Sequence, residues 1–283
     1  MIRFFWSLLF VMSMTVPITA ATNTRLDLIP YVGGIHYTGT VAKDRSLITG
    51  LYGYYGIGME HTIEADASWT RIDYDSATAS RVNQYDTTLV YTNFGILDWK
   101  WRVGAHLITS NDNPTEGMVL LGGVHNYEPS RYSRGVDVYI SRYADYAPAM
   151  DVHQVTGTWG FYLERSPKTY LKAQAHYIHV SDDIGFDRQH YGSGELSLVH
   201  PIGKWTVTVF GWAGQQVFGV QKDGFVAYNL PEKHEGGYGG SLGYAVSSTS
   251  SAKLDFVQKN FKELASPADA QASQLLLLWQ QTF

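Results

Sequence analysis

The sequence predicts an all-β fold: a closed, antiparallel, up-and-down transmembrane β-barrel of about fourteen strands. Three observations carry that reading. Apolar and polar residues alternate with period two in segment after segment. The connections between those segments alternate between short and long. The last twelve residues, ASQLLLLWQQTF, form a strand with one apolar row, Leu275, Leu277, Trp279 and Phe283, that ends on an aromatic side chain. Composition agrees: 20 Tyr, 8 Trp, 12 Phe and 28 Gly with only 17% charged residues suit strands that are half lipid-facing and half wet. The chain has no cysteine, so an exported fold must rest on a closed hydrogen-bond network rather than on disulfides.

Residues 1–21 have the layout of a secretory signal peptide: Arg3, an apolar stretch from Phe4 to Met14, then Pro17 and the small residues Thr19, Ala20 and Ala21. Cleavage is expected after Ala20 or Ala21; the alternative, an N-terminal membrane anchor, is disfavoured because the apolar core is shorter than the ~20 residues that span a bilayer as a helix. Residues 22–283 are expected to form a single barrel domain. Its strands fall near 25–37, 47–59, 61–74, 82–93, 99–109, 117–126, 134–144, 153–164, 169–180, 191–200, 204–215, 236–247, 251–261 and 272–283. In 61–74 the row Ile63, Ala65, Ala67, Trp69 opposes Glu64, Asp66, Ser68; in 99–109, Trp99, Trp101, Val103, Leu107 oppose Lys100, Arg102, His106. The segment around Trp205, Val207 and Val209 likewise opposes Thr206 and Thr208. Two rows of such different polarity must face different solvents.

Connections after even-numbered segments are short: Glu60, Ser166-Pro167-Lys168, Pro201-Ile202-Gly203 and Ser248-Thr249-Ser250. Those after odd-numbered segments are longer and polar, including 110–116, 181–190, 216–235 and 262–271. An even strand number with short turns on one side and long loops on the other is the arrangement of bacterial barrels.

On these features the mature chain resembles the outer-membrane β-barrel proteins of Gram-negative bacteria, a porin-like class, without matching one family within it. The resemblance implies residence in the cell outer membrane with both termini periplasmic. It also implies contact with outer-membrane lipids and lipopolysaccharide, and help from periplasmic chaperones and the barrel-assembly machinery. Phe283, Trp279 and Leu277 would then form the assembly signal. Periodicity alone does not separate this reading from a soluble β-sandwich, whose apolar rows point inward.

The polar rows carry both signs of charge. Glu64, Asp66, Asp86, Asp137, Lys100, Arg102 and Lys172 are expected to face a lumen, since a charge facing lipid at mid-membrane costs several kcal/mol. They form either a ladder of cross-strand salt bridges or a constriction that orients a polar solute. A fourteen-stranded barrel has a backbone radius of roughly 14 Å, too wide for side chains alone to fill. The loop 216–235, with Val217, Phe218, Val220, Phe225, Val226 and Tyr228, is apolar enough either to fold inward or to stand outward against lipopolysaccharide.

Function therefore reads as an outer-membrane channel for passive diffusion of small polar solutes. The alternatives are a barrel enzyme, or a non-conducting structural barrel acting in a complex. The enzyme alternative rests on a rim cluster, Asp151, His153, Asp182, Asp183, Asp187 and His190, whose carboxylates and imidazoles suit acid–base chemistry or cation binding. His176 and His179, three apart on one strand, face opposite sides and do not chelate together. The string Gly239-Gly240-Ser241-Leu242-Gly243 matches G-x-S-x-G only formally, because a nucleophile elbow requires a following helix. No cofactor or dedicated metal site is read, and the net charge of -5 argues against a nucleic-acid partner.

Overall fold

The computed structural model describes residues 24–58, 60–75, 81–163, 169–264, 266 and 268–283. The signal-peptide segment and the turn Ser166-Pro167-Lys168 lie outside the described residues. The alternating segments all become strands: β1 (Thr24–Thr38), β2 (Lys43–Ile57), β3 (His61–Tyr74), β4 (Val82–Ile96), β5 (Trp99–Ser110), β6 (Gly117–Glu128), β7 (Tyr132–Tyr143) and β8 (Met150–Leu163). There follow β9 (Thr169–Val180), β10 (His190–Ile202), β11 (Trp205–Gln216), the two-residue β12 (Val220–Gln221) and β13 (Val226–Ala227), then β14 (Glu232–Ala245), β15 (Ser250–Glu263) and β16 (Asp269–Thr282). All but β12 and β13 join one closed antiparallel barrel of fourteen strands, each paired with its sequence neighbour and β16 with β1.

The seam closes at the chain's last residue. Leu26 and Phe283 exchange backbone hydrogen bonds of 2.8 and 3.3 Å, and Thr282 Oγ1 donates to Asp27 at 2.7 Å. Closure removes every free sheet edge, the one way a sheet can sit in hydrocarbon with its backbone satisfied. Pro30, which has no N–H to donate, sits where the β1–β16 pairing is interrupted and pairs only with Leu51 on the other side.

Side-chain direction decides between barrel and sandwich. The apolar row is the outer one: Leu51, Leu89, Val103, Leu120, Val138 and Leu277 are each 43–57% exposed, and the same row continues around the circumference. An apolar belt of that extent is untenable in water and fits lipid. Trp99, Trp159, Trp205, Trp279 and Phe283 flank it towards the termini, as an interfacial aromatic girdle does. No helix among the described residues is long and apolar enough to cross a membrane, a statement that does not bear on crossing by strands.

Two turns differ from the sequence expectation. β10 continues through Pro201 and Ile202, which pair with Thr206 and Trp205, because Gly203 adopts φ +60° and allows a two-residue reversal. The turn before β15 begins at Val246 and ends at Thr249, since Ser250 is already paired with Gln281. The loop between β11 and β14 shows the larger consequence. It turns into the barrel.

Candidate functional site

The inserted loop is a hairpin hung from β11 and β14. Val220 and Gln221 pair with Ala227 and Val226, and the tip Lys222-Asp223-Gly224 turns through φ values of 48°, 58° and 100°. Gly224 suits the tip because its φ of 100° lies where side chains are strained, and a Cβ there would also push the end of the Leu121 side chain aside.

The apolar residues noted in the sequence hold the hairpin to one half of the wall. Val217 and Phe218 are fully buried among Tyr143, Met150, Val152, Ile178, Val180 and Tyr191. Val220 packs with Val90, Val119, Leu121 and Tyr139. Full burial of each such side chain contributes about 1.5–3 kcal/mol. These inward residues belong to the rows that face away from lipid, so the lumen wall is apolar where the hairpin's apolar side chains meet it.

Polar clamps set the hairpin's depth. Gln154 Nε2 donates to the Val220 carbonyl and Gln154 Oε1 accepts from the Val220 N–H, both at 2.7 Å. Arg102 donates to the Asp223 carbonyl, and His106 Nδ1 lies 3.1 Å from the Gly224 carbonyl. Asn229 Nδ2 donates to Gln84 Oε1 at 2.7 Å and to the Thr115 carbonyl at 2.9 Å. The Phe225 ring meets Tyr52 edge-on at 5.4 Å. At the root, Tyr228 stacks on His234 at 4.0 Å, while Lys43 bridges Glu232 and Glu263. The tip thus reaches the level of Arg102, three residues from the start of β5 at Trp99.

The hairpin covers β4–β8 and, through Ile178, Val180 and Tyr191, the loop-side ends of β9 and β10; the charges deeper in the lumen on β9, β10 and β15 stay uncovered. Lys222 and Asp223 stay exposed at the tip, the Asp223 side chain by 52%. Lys222 lies within electrostatic range of Glu195, Lys253, Asp255 and Lys259. Lys253 and Asp255 pair at 3.0 Å, with the Lys253 side chain 45% exposed. Lys172 and Glu195, both half-buried, complete a ring of mixed charge.

The residues expected to line the lumen all point inward, but the acids and cations do not form a salt-bridge ladder. Glu64 accepts from the Tyr52 hydroxyl, and Asp66 from the Tyr31 hydroxyl at 3.0 Å. Asp86 accepts from Gln84 and lies 3.0 Å from His106 Nε2; Asp137 lies 3.0 Å from His125 Nε2. Lys100 stands near Asp223, Asp137 and Glu64 without a bridge to any of them among the described residues. Register is the reason. Arg102 lies opposite Thr92 and Gly123, and Asp86 opposite Ser68 and Ile108, so no acid of β3 or β4 directly faces a cation of β5.

The rim cluster disperses. Asp151 and His153 face outward from β8, with Asp151 paired to Arg142 at 3.0 Å. Asp182 and Asp183 are engaged in their own loop, by the Ser181 hydroxyl and by the Gly185 and Phe186 N–H groups. His190 bonds the Tyr177 hydroxyl at 2.8 Å, and no rim carboxylate holds a rim imidazole in an acid–base pair. Gly239, Ser241 and Gly243 lie mid-strand in β14, where the missing Cβ of Gly239 leaves room for the Phe210 ring, 2.6 Å from where that atom would stand. Gln154, Asn229 and His106 escaped the sequence reading. Gln154 and His106 stand on polar rows, but nothing local shows that their partner is a loop far along the chain, or that Asn229 of that loop reaches back to Gln84 and Thr115.

A closed barrel with its apolar row outward, an aromatic girdle and a loop folded into the lumen defines the chain as an outer-membrane β-barrel protein. Neither a family model nor a curated protein matches it. Among solved structures it is similar to a Pseudomonas aeruginosa FadL homologue at 10% identity, over 92% of this chain and 89% of that one, with a TM-score of 0.53. It is also similar to a loop L8 deletion mutant of OmpT, an outer membrane protein of Vibrio cholerae (5% identity, 92% and 99% covered, TM-score 0.47). A third is Pseudomonas aeruginosa OccK7 (10%, 94% and 99%, 0.45). At such identities the likeness is one of fold.

Proposed function

We propose that the protein is an outer-membrane channel through which small polar solutes diffuse passively, its bore narrowed to an eyelet by the hairpin between β11 and β14. The observation that carries this reading is the one-sidedness of the hairpin. It packs against β4–β8 and the loop-side ends of β9 and β10, while its exposed tip residues Lys222 and Asp223 stand deeper in the lumen among the uncovered charges Lys172, Glu195 and Lys253. Opposed charges across a narrow opening create a transverse field, which favours solutes carrying a dipole or both signs of charge. A complete plug would bury its tip instead.

Single-channel recording in planar bilayers tests the proposal. Discrete conductance steps are expected, and deletion of residues 217–230 should raise their size several-fold by clearing the bore. A folded barrel that never conducts, with or without the hairpin, would favour a structural role in a complex.

A further inference from the structure

Strand register builds a row that the sequence does not display. His153 of β8 lies directly opposite His179 of β9, and His179 directly opposite His190 of β10. All three share the outward parity of Val155 and Tyr177, so three imidazoles from three consecutive strands stand side by side on the outer surface. His179 and His190 are stacked at 4.7 Å and 19°, and His153 meets His179 at 6.3 Å. Below this row the apolar belt begins with Val138, Val155 and Tyr177; above it stand Arg142 and Asp151. The row lies where the hydrocarbon face gives way to charge.

We infer that His153, His179 and His190 form a surface site for one divalent transition-metal ion of borderline softness, such as Zn(II) or Cu(II). Directly opposite residues of an antiparallel pair have Cβ atoms about 4.5–5.5 Å apart. Two imidazoles so placed reach a common ion at about 2.0–2.1 Å per nitrogen by side-chain rotation alone, with no backbone movement. As they stand, no three ligating groups among the described residues are arranged to hold an ion. The ring of His190 is exposed and held by the Tyr177 hydroxyl at 2.8 Å, so release of that single bond frees it to turn towards His179. His179 contributes a ring nitrogen, Nδ1, with no hydrogen-bond partner.

Charge favours a cation over a phosphate here. Asp151 stands two residues above His153 on β8, and Asp182, Asp183 and Asp187 lie in the loop that joins His179 of β9 to His190 of β10, against Arg142 and Arg188. Nitrogen ligands select a transition metal over calcium or magnesium, which take oxygen. No catalytic step is attached to the ion, and the site is independent of the lumen.

Titration of the tag-free mature barrel in detergent with Zn(II) by calorimetry, and with Cu(II) by electron paramagnetic resonance, tests the inference. One ion per barrel is expected, with nitrogen couplings in the Cu(II) spectrum. The affinity should fall at least tenfold in His179→Gln. An Asp182→Asn, Asp183→Asn variant should bind within about twofold of the parent. The inference is overturned if no stoichiometric binding occurs, if His179→Gln binds as the parent does, or if binding follows the aspartates. Should His179→Gln fail to insert, the exposed-ring variants His153→Gln and His190→Gln and the parent's Cu(II) spectrum decide, and a spectrum without nitrogen couplings overturns it.

Discussion

Gln154 and Val220 exchange two hydrogen bonds of 2.7 Å, an amide side chain standing in for a neighbouring strand. Gln154 is 1% exposed and lies on β8; Val220 is 2% exposed and lies on the inserted hairpin, 66 residues later. The pair ties the loop to the wall at a place where water does not reach.

Replacing Gln154 by Leu strands the buried N–H and C=O of Val220, at a cost of about 1–3 kcal/mol each. The barrel's own ladders are untouched. The expected outcome is faster amide exchange across residues 217–229 and a larger, noisier conductance, with unchanged thermal unfolding of the barrel. Exchange as slow as in the parent would show that apolar packing alone seats the hairpin.

Deleting Phe283 removes its N–H bond to the Leu26 carbonyl, the return bond, and an aromatic that is 70% exposed to the lipid interface. The seam between β1 and β16 is already interrupted near Pro30. The heat-modifiable folded form in outer-membrane fractions should therefore fall markedly. Undiminished assembly would remove Phe283 from the assembly signal.

The barrel was legible because its information is local. Alternation in Ile63–Trp69 or Trp99–Leu107 reports two solvents, and loop lengths report the side. Pairing was only partly legible. Cross-strand partners depend on turn length to the residue, and a shift of one at Gly203 or Ser250 changes every partner downstream. For that reason the charges of β3–β5 read as either a ladder or a constriction, and the register rules out the ladder: Asp86 and Arg102 each find other partners. For the same reason three histidines spread over 38 residues gave no sign of standing in one row. The apolar side chains of the loop left two directions open, inward or outward against lipopolysaccharide, because Val217 and Phe218 carry no direction by themselves.

Selectivity should follow the uncovered side of the lumen. Lys172→Glu together with Lys222→Glu reverses two charges beside Glu195 without touching a hairpin clamp, and should shift the reversal potential in a salt gradient towards cations. Arg102→Glu differs in kind, since Arg102 holds the Asp223 carbonyl; it should enlarge conductance as well as change selectivity. Equal selectivity in the parent and the Lys172, Lys222 double variant would place the narrowest point elsewhere.

His106 joins the hairpin tip to the wall. Its Nε2 lies 3.0 Å from Asp86 Oδ1, and its Nδ1 lies 3.1 Å from the Gly224 carbonyl and 2.9 Å from Thr88 Oγ1. Phenylalanine in its place keeps the ring's bulk but has no atom that can donate or accept, so the tip loses its contact at Gly224 while Asp86 keeps Gln84. In His106→Phe, amide exchange at residues 220–226 should be faster than in the parent and conductance larger, with thermal unfolding of the barrel little changed. Exchange as slow as the parent's would mean that Gln154 and Arg102 hold the tip without His106.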